Sequence, residues 1–240
     1  MALENIDYDN LKKRGFLRQR QDGFFVLRTK MPSSGSYTEA SLKELADIAK
    51  RYARGIVHAT VRQGLEIPFV KYEDIPKVES AIADAGIEAG TSGPRLRATT
   101  VCPGNNWCKQ GLVDTFYLAG RIERELGIKC GMDLPHKFKI AISGCPNGCT
   151  RPQYAEIGIH GQIDTVSPDK RIGYVIYLGG NGGRSPRQGI RLERIFTEDE
   201  VLDLIKNAVE FFRQNAGPRQ RMGQLIEEFG AEKFLLNIGG

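Results

Sequence analysis

No run of apolar residues in this 240-residue chain approaches the roughly 20 that a bilayer-spanning helix needs. A soluble protein without a membrane role is expected. The opening residues Met1-Ala2-Leu3-Glu4-Asn5 lack the basic segment and apolar stretch of an export signal. That makes a reducing cytoplasm the expected setting, and disulfides are poorly suited to it. Nucleic acid is not an expected partner either, because no basic run is interleaved with aromatics and no reader motif is present. Gly179-Gly180-Asn181-Gly182-Gly183 lacks the G-x-x-x-x-G-K-S/T phosphate loop and does not match G-x-G-x-x-G between a strand and a helix. It reads instead as a loop whose backbone must come close to a cofactor or another strand. No internal repeat is visible.

The composition is that of a folded protein. With 40% hydrophobic and 26% charged residues the chain is globular rather than disordered, and its length allows one large domain or two small ones. A net charge of +5 and a pI near 8.9 favour anionic partners, such as a small anion or a polycarboxylate cofactor.

Cysteine is sparse, at five residues, yet four of them fall in two short loops. Cys102-Pro103-Gly104-Asn105-Asn106-Trp107-Cys108 is a C-x5-C, and Cys145-Pro146-Asn147-Gly148-Cys149 is a C-x3-C that continues into Thr150-Arg151. Four thiolates from two tight turns at strand ends suit a [4Fe-4S] cluster, because soft sulfur ligands select iron–sulfur chemistry. Pro146 fixes one backbone angle and Gly148 relaxes another, so the shorter loop can curl both sulfurs toward one point. Structural zinc stays open, since C-x3-C has zinc spacing although C-x5-C does not, and so do unconnected buried cysteines. The fifth, Cys130, reads as a buried or idle thiol.

Residues 1–22 are polar and rich in Arg and Lys, and read as an arm or irregular lead-in. Residues 24–30 read as a strand, and 38–54 as an amphipathic helix with Thr38 as N-cap and Leu42, Leu45, Ile48 and Ala49 on one face. Two β-rich stretches at 56–62 and 65–70 and a helix at 73–85 follow. That order suggests a ferredoxin-like unit. Glycine, serine and proline punctuate 85–94 and place a boundary between domains 1–92 and 93–240. Beyond it the pattern predicts strands at 96–101, 137–142, 157–160 and 172–178 and helices at 112–126, 197–214 and 220–228. Thr197 and Glu200 stand in capping-box register. The expected class is α+β, a ferredoxin-like unit followed by a mixed α/β domain with both cysteine loops at strand ends.

The cations add to this. Thr60-Val61-Arg62-Gln63 lies within the first strand pair, Arg97 stands five residues before Cys102, and Leu134-Pro135-His136-Lys137-Phe138-Lys139 leads toward Cys145. In a strand Lys137 and Lys139 share a face. Two ammonium groups there repel unless an anion or carboxylates lie between them; the plainer alternative is a strand edge blunted by lysines.

Together these loops, Thr60 to Gln63, Arg97, the 134–139 segment and Tyr177-Leu178-Gly179-Gly180 resemble the sirohaem and [4Fe-4S] sulfite/nitrite reductases, in the small single-copy, assimilatory-type form. The resemblance runs from about Gly23 to the end of the chain. It implies that Cys102, Cys108, Cys145 and Cys149 hold the cluster, with Cys149 also bridging to the sirohaem iron. It implies too that Arg62, Arg97, Lys137 and Lys139 surround the bound oxyanion. Thr60, Arg62, Gln63, Asn147 and Arg151 are the accompanying cofactor-binding candidates, and the second domain becomes the sirohaem and [4Fe-4S] domain. Sirohaem is itself a polycarboxylate, which gives the basic composition a second use.

The implied reaction is six-electron reduction of sulfite to sulfide. The alternatives are nitrite reduction to ammonia, or a non-catalytic sirohaem/Fe–S subunit that carries electrons or senses an anion. Lys139 replaces the asparagine of plant-type nitrite reductases, and the extra charge favours a dianion. Larger members of the family hold two copies of this unit, with cysteines used from one and cations from the other. One copy here implies a homodimer with shared sites and a separate electron donor such as ferredoxin.

Overall fold

The structure, a computed structural model, describes residues 6–166 and 168–240. The chain divides into two compact units, Met1–Pro32 with Ser36–Gly93, and Ser33–Gly35 with Pro94–Gly240.

The first unit runs α1 (Tyr8–Lys13), β1 (Phe16–Arg18), β2 (Phe24–Arg28), α2 (Glu39–Tyr52), β3 (His58–Ala59), β4 (Leu65–Lys71) and α3 (Ile75–Asp84). Its antiparallel sheet has the order β1-β2-β4-β3. Leu45, Ile48, Ala49 and Val78 from the helices and Leu27, Ile67 and Val70 from the strands are fully buried in one core. Thr38 caps α2 by accepting the Ser41 N–H at 3.2 Å. Leu42, expected on the buried face, is 47% exposed.

The irregular lead-in expected over residues 1–22 is corrected for the part described, which forms α1 and β1. Asp7 caps α1 by accepting the Asp9 and Asn10 N–H groups. Leu11 and Phe16 are buried in the core, with Ile6 and Tyr8 partly buried against it, a set too short and irregular to display a period.

In the second unit β5 (Thr100–Val101), α4 (Thr115–Glu125), β6 (Ile140–Ser143), β7 (Ile157–Ile163), β8 (Ile172–Leu178) and β9 (Ile190–Arg191) precede α5 (Glu198–Asn215), α6 (Met222–Phe229) and α7 (Ala231–Ile238). The sheet order is β5-β6-β7-β8-β9. Strands β5, β6 and β7 are parallel, while β8 and β9 pair antiparallel. Leu118 and Ile122 of α4 and Ile205, Val209 and Phe212 of α5 join the strand residues Ile142, Ile159 and Ile176 in a second core. Thr197 and Glu200 form the capping box that opens α5.

Strands β2, β3, β5 and β6 are shorter than the sequence patterns: β2 stops at Arg28, and β3 is only His58–Ala59, which puts Thr60, Arg62 and Gln63 in the turn that follows rather than in the strand. β5 is only Thr100–Val101, because Arg95 and Leu96 make isolated bridges to Asp133 and Phe138 instead. β6 begins at Ile140, which leaves Lys137 and Lys139 in an extended lead-in rather than in the strand. Helix α7 has no counterpart in the sequence reading. Among the described residues no helix is long and apolar enough to cross a membrane.

Candidate active site

Because β5 and β6 are parallel neighbours, ending at Val101 and Ser143, the loops after them leave the same edge of the sheet. These are the two cysteine loops. The Cys102 N–H donates to Ile142 O at 3.2 Å, which ties the first loop to the second strand. The Gly144 N–H donates to Cys102 Sγ at 3.1 Å, and the Leu112 N–H to Gly144 O at 2.8 Å. A Cβ on Gly144 would lie 2.5 Å from the Gly104 Cα, so glycine faces glycine where the loops meet. Gly104 itself has φ of +53°, which only glycine adopts readily.

Each loop is closed by its own hydrogen bonds. In the first, the Cys108 N–H donates to Gly104 O at 3.2 Å and Cys108 O accepts the Gly111 N–H at 2.9 Å. In the second, the buried Ser143 hydroxyl lies 2.8 Å from Thr150 Oγ1 and accepts the Thr150 N–H at 3.1 Å, spanning Cys145 and Cys149. Cys145 is buried, Cys102 and Cys108 are half-buried, and Asn147, Cys149 and Arg151 are exposed. Arg151 takes a left-handed φ of 55° and starts a one-turn helix, Pro152–Tyr154. Cys130 lies outside both loops, and all five cysteines are free of disulfides.

The cations fall in two places. Thr60, Arg62 and Gln63 belong to the first unit, in the turn between β3 and β4. There Thr60 Oγ1 donates to Gly64 O at 2.8 Å, and Gln63 adopts φ of 67°. Arg97, Lys137 and Lys139 belong to the second unit, where the Arg97 N–H donates to Phe138 O at 2.8 Å. Phe138 is fully buried while the lysines on either side are half-buried, so the alternation expected of a strand survives in the lead-in.

A cavity of about 410 Å³ is lined by His136, Lys137, Asn181, Arg184, Arg187 and Arg221, among others. Burial lowers the Lys137 pKa, and Arg221 and Arg97 lower it further against the pull of Glu156. His136 is lowered by burial and by the same cationic neighbours. Glu156 and Arg221 carried no signal in the sequence, since their pairing spans 65 residues.

Among the described residues no three His, Cys, Asp or Glu side chains converge as a bound metal would hold them. The test of fit therefore rests on the loops. Four free thiols leave one sheet edge on loops in glycine-to-glycine contact, and a backbone N–H already points at one sulfur. That donor set suits an iron–sulfur cluster.

Residues 92–239 match the family described as "Nitrite and sulphite reductase 4Fe-4S domain", and residues 17–85 match the "Nitrite/Sulfite reductase ferredoxin-like half domain". Fold and site thus define an iron–sulfur protein built on a ferredoxin-like half domain. The chain belongs to the nitrite and sulfite reductase family, whose cofactors are sirohaem and a [4Fe-4S] cluster.

Among its relatives, "Sulfite reductase, assimilatory-type" of Nitratidesulfovibrio vulgaris is 30% identical, the match covering 91% of this chain and 94% of that one. "Coenzyme F420-dependent sulfite reductase" of Methanocaldococcus jannaschii is 29% identical over 93% of this chain and 44% of its own length. The Bacillus subtilis NAD(P)H nitrite reductase is 29% identical over 93% of this chain and 27% of its own length. The chain thus spans less than half of these last two. The Mycobacterium tuberculosis NirA structure has the same fold, with a TM-score of 0.83 at 21% identity, covering 98% of this chain and 47% of that one.

Proposed function

We propose that the protein reduces sulfite to sulfide, taking electrons from a separate donor such as ferredoxin. The observation that carries this reading is the pair Lys137 and Lys139, held on either side of buried Phe138 in a chain that also carries the four loop cysteines. Sirohaem and the cluster, when bound, would relay the donor's electrons to the anion. Cys102, Cys108, Cys145 and Cys149 are the proposed cluster ligands, with Cys149 facing both groups. Asn147, Arg151, Thr60 and Gln63 are proposed to hold sirohaem.

Lys137, Lys139 and Arg97 bind the anion and offset the charge that builds on it. Arg62, carried by the first unit's turn, is proposed as a fourth cation on the resemblance alone. Oxygen leaves sulfite as water, so protons must be delivered repeatedly. A lysine whose pKa burial has lowered gives up a proton at Nζ more readily than an ordinary one.

Nitrite is the second reading, supported by the nitrite reductases among the relatives. The wild-type chain is expected to show the higher kcat/KM for sulfite, and Lys139→Asn to lose roughly tenfold or more on sulfite while losing less on nitrite. The scale is a charge-assisted contact of about 1.5–3 kcal/mol. A wild-type preference for nitrite would defeat the sulfite assignment.

We further propose that two chains pair about a twofold axis, the commonest arrangement for soluble oligomers, and that they share sites. Cys145→Ser chains and Lys137→Ala/Lys139→Ala chains, each inactive alone, are expected to recover activity when mixed, because one mixed site keeps intact cysteines and intact lysines. Full activity in a wild-type monomer would rule the pairing out.

A further inference from the structure

Glu156 stands directly before β7 and is fully buried. One carboxylate oxygen accepts the Lys139 backbone N–H at 2.9 Å, and the other accepts Arg221 Nη2. Its backbone carbonyl accepts the Gly179 N–H at 2.8 Å, which fixes the same residue to the glycine-rich loop. Arg221 is the residue before α6, where its own N–H donates to Gln224 Oε1 at 2.8 Å. Its Nε is buried without a hydrogen-bond partner. Two residues earlier, the Arg219 N–H donates to Pro135 O at 3.3 Å. The turn before α6 therefore grips the 135–139 segment near both ends, directly at Pro135 and through Glu156 at Lys139.

We propose that Glu156 and Arg221 are positioning residues for anion binding, a buried ion pair that fixes both the placement and the charge of the Lys137–Lys139 segment. This rests on the reading of that segment as the anion site. Arg221 and Lys137 line one cavity, so an uncompensated guanidinium there would drive the proton from the lysine. Glu156 supplies the compensating charge and at the same time orients the backbone of Lys139. Burial raises the Glu156 pKa, while Arg221 and Lys139 draw it back toward the ionised form.

The charged groups around Lys137 come from every neighbouring segment. They are Arg221 before α6, Glu156 before β7, Arg97 before β5, Arg184 and Arg187 in the loop after β8, and beside it His136, which Arg219 also faces. Of these only Glu156 is acidic. Arg187 has its own carboxylate partner in Glu227, at 2.7 Å.

A brace without electrostatic function predicts that Glu156→Gln and Arg221→Met do the same thing. The proposal predicts opposite displacements. The full chain carrying its cofactors, with lysines ¹³C-methylated and the Lys137 signal assigned through Lys137→Arg, is titrated by NMR without sulfite. Glu156→Gln is expected to move the Lys137 midpoint to lower pH and Arg221→Met to higher pH. Glu156→Gln/Arg221→Met, which removes both buried charges, is expected to return it close to the wild-type position. Calorimetric binding of sulfite at alkaline pH is expected to weaken about tenfold in Glu156→Gln and to recover in the double variant.

If Glu156→Gln does not fold, Arg221→Met and the double variant still carry the comparison. Displacement in the same direction in both single variants, an unmoved midpoint, or a folded double variant that stays displaced would overturn the proposal. The underlying reading fails separately: it is lost if Lys137→Met binds sulfite as the wild type does, whatever the titrations show.

Discussion

A Cys149→Ser chain purified anaerobically is expected to lose most of its iron and acid-labile sulfide and to show a disturbed haem absorption band. Cys102→Ser, Cys108→Ser and Cys145→Ser are expected to lose the cluster as well, removing about four of the roughly five irons that a cluster and a sirohaem together bring to each chain. Serine offers a hard oxygen whose pKa is far above that of a thiol, so it does not substitute for thiolate at a cluster. The proposed ligand set is these four, which leave one edge of the sheet on loops joined by the Gly144 N–H to Cys102 Sγ bond. Cys130 lies in neither loop. Cys130→Ser is therefore expected to keep both the iron and the spectrum of the wild type. Iron analysis and absorption spectra decide the matter, and a chain that needs Cys130 but tolerates loss of Cys102 would overturn the ligand set.

Gly144→Ala is expected to be nearly as damaging, although alanine is the smallest possible change. The new methyl would stand 2.5 Å from the Gly104 Cα, a backbone atom that no rotamer change can move aside. Gly104 is boxed in turn by Val113 O, Thr115 and Gly111. Relief must come from separating the loops, which breaks the Leu112 N–H to Gly144 O and Gly144 N–H to Cys102 Sγ bonds. Overpacking of this kind costs about 1–3 kcal/mol before the lost hydrogen bonds are counted, and the melting temperature is expected to fall by roughly 5–10 °C. Iron content is expected to fall with it, since the spacing of the two thiol pairs depends on the contact. Gly182→Ala serves as the control, because its Cβ would meet nothing within 4 Å. Unchanged melting and iron content in Gly144→Ala would show that the loops do not need to touch.

What the sequence disclosed was local. The cysteine spacings, with Pro146 and Gly148 between thiols, carried the family because they concern residues a few positions apart. Helix α5 was legible from Thr197 and Glu200 for the same reason, and the structure forms the capping box those residues anticipate. Failures came where a distant partner decides. Phe16 and Leu11 order the lead-in only because a core receives them. The start of β6 slips to Ile140 because Arg97, Phe138 and Arg95 exchange backbone hydrogen bonds outside the strand ladder. Nothing near Glu156 shows that its counter-charge is Arg221.

Phe138 sits between the two lysines with no exposed surface, its ring centroid 5.2 Å from that of Phe212 in the middle of the second core. The aromatic pair acts as a ruler. A slip of one residue in this segment would pull Phe138 into water and push an ammonium group into hydrocarbon, so the two cations cannot creep closer or farther by small increments. Their separation is either the native one or the core is broken. Any drift in preference at this proposed anion segment is therefore confined to the identity of the groups at the side-chain tips, a different base or amide at 137 or 139, while the distance between them is held by the buried aromatic pair.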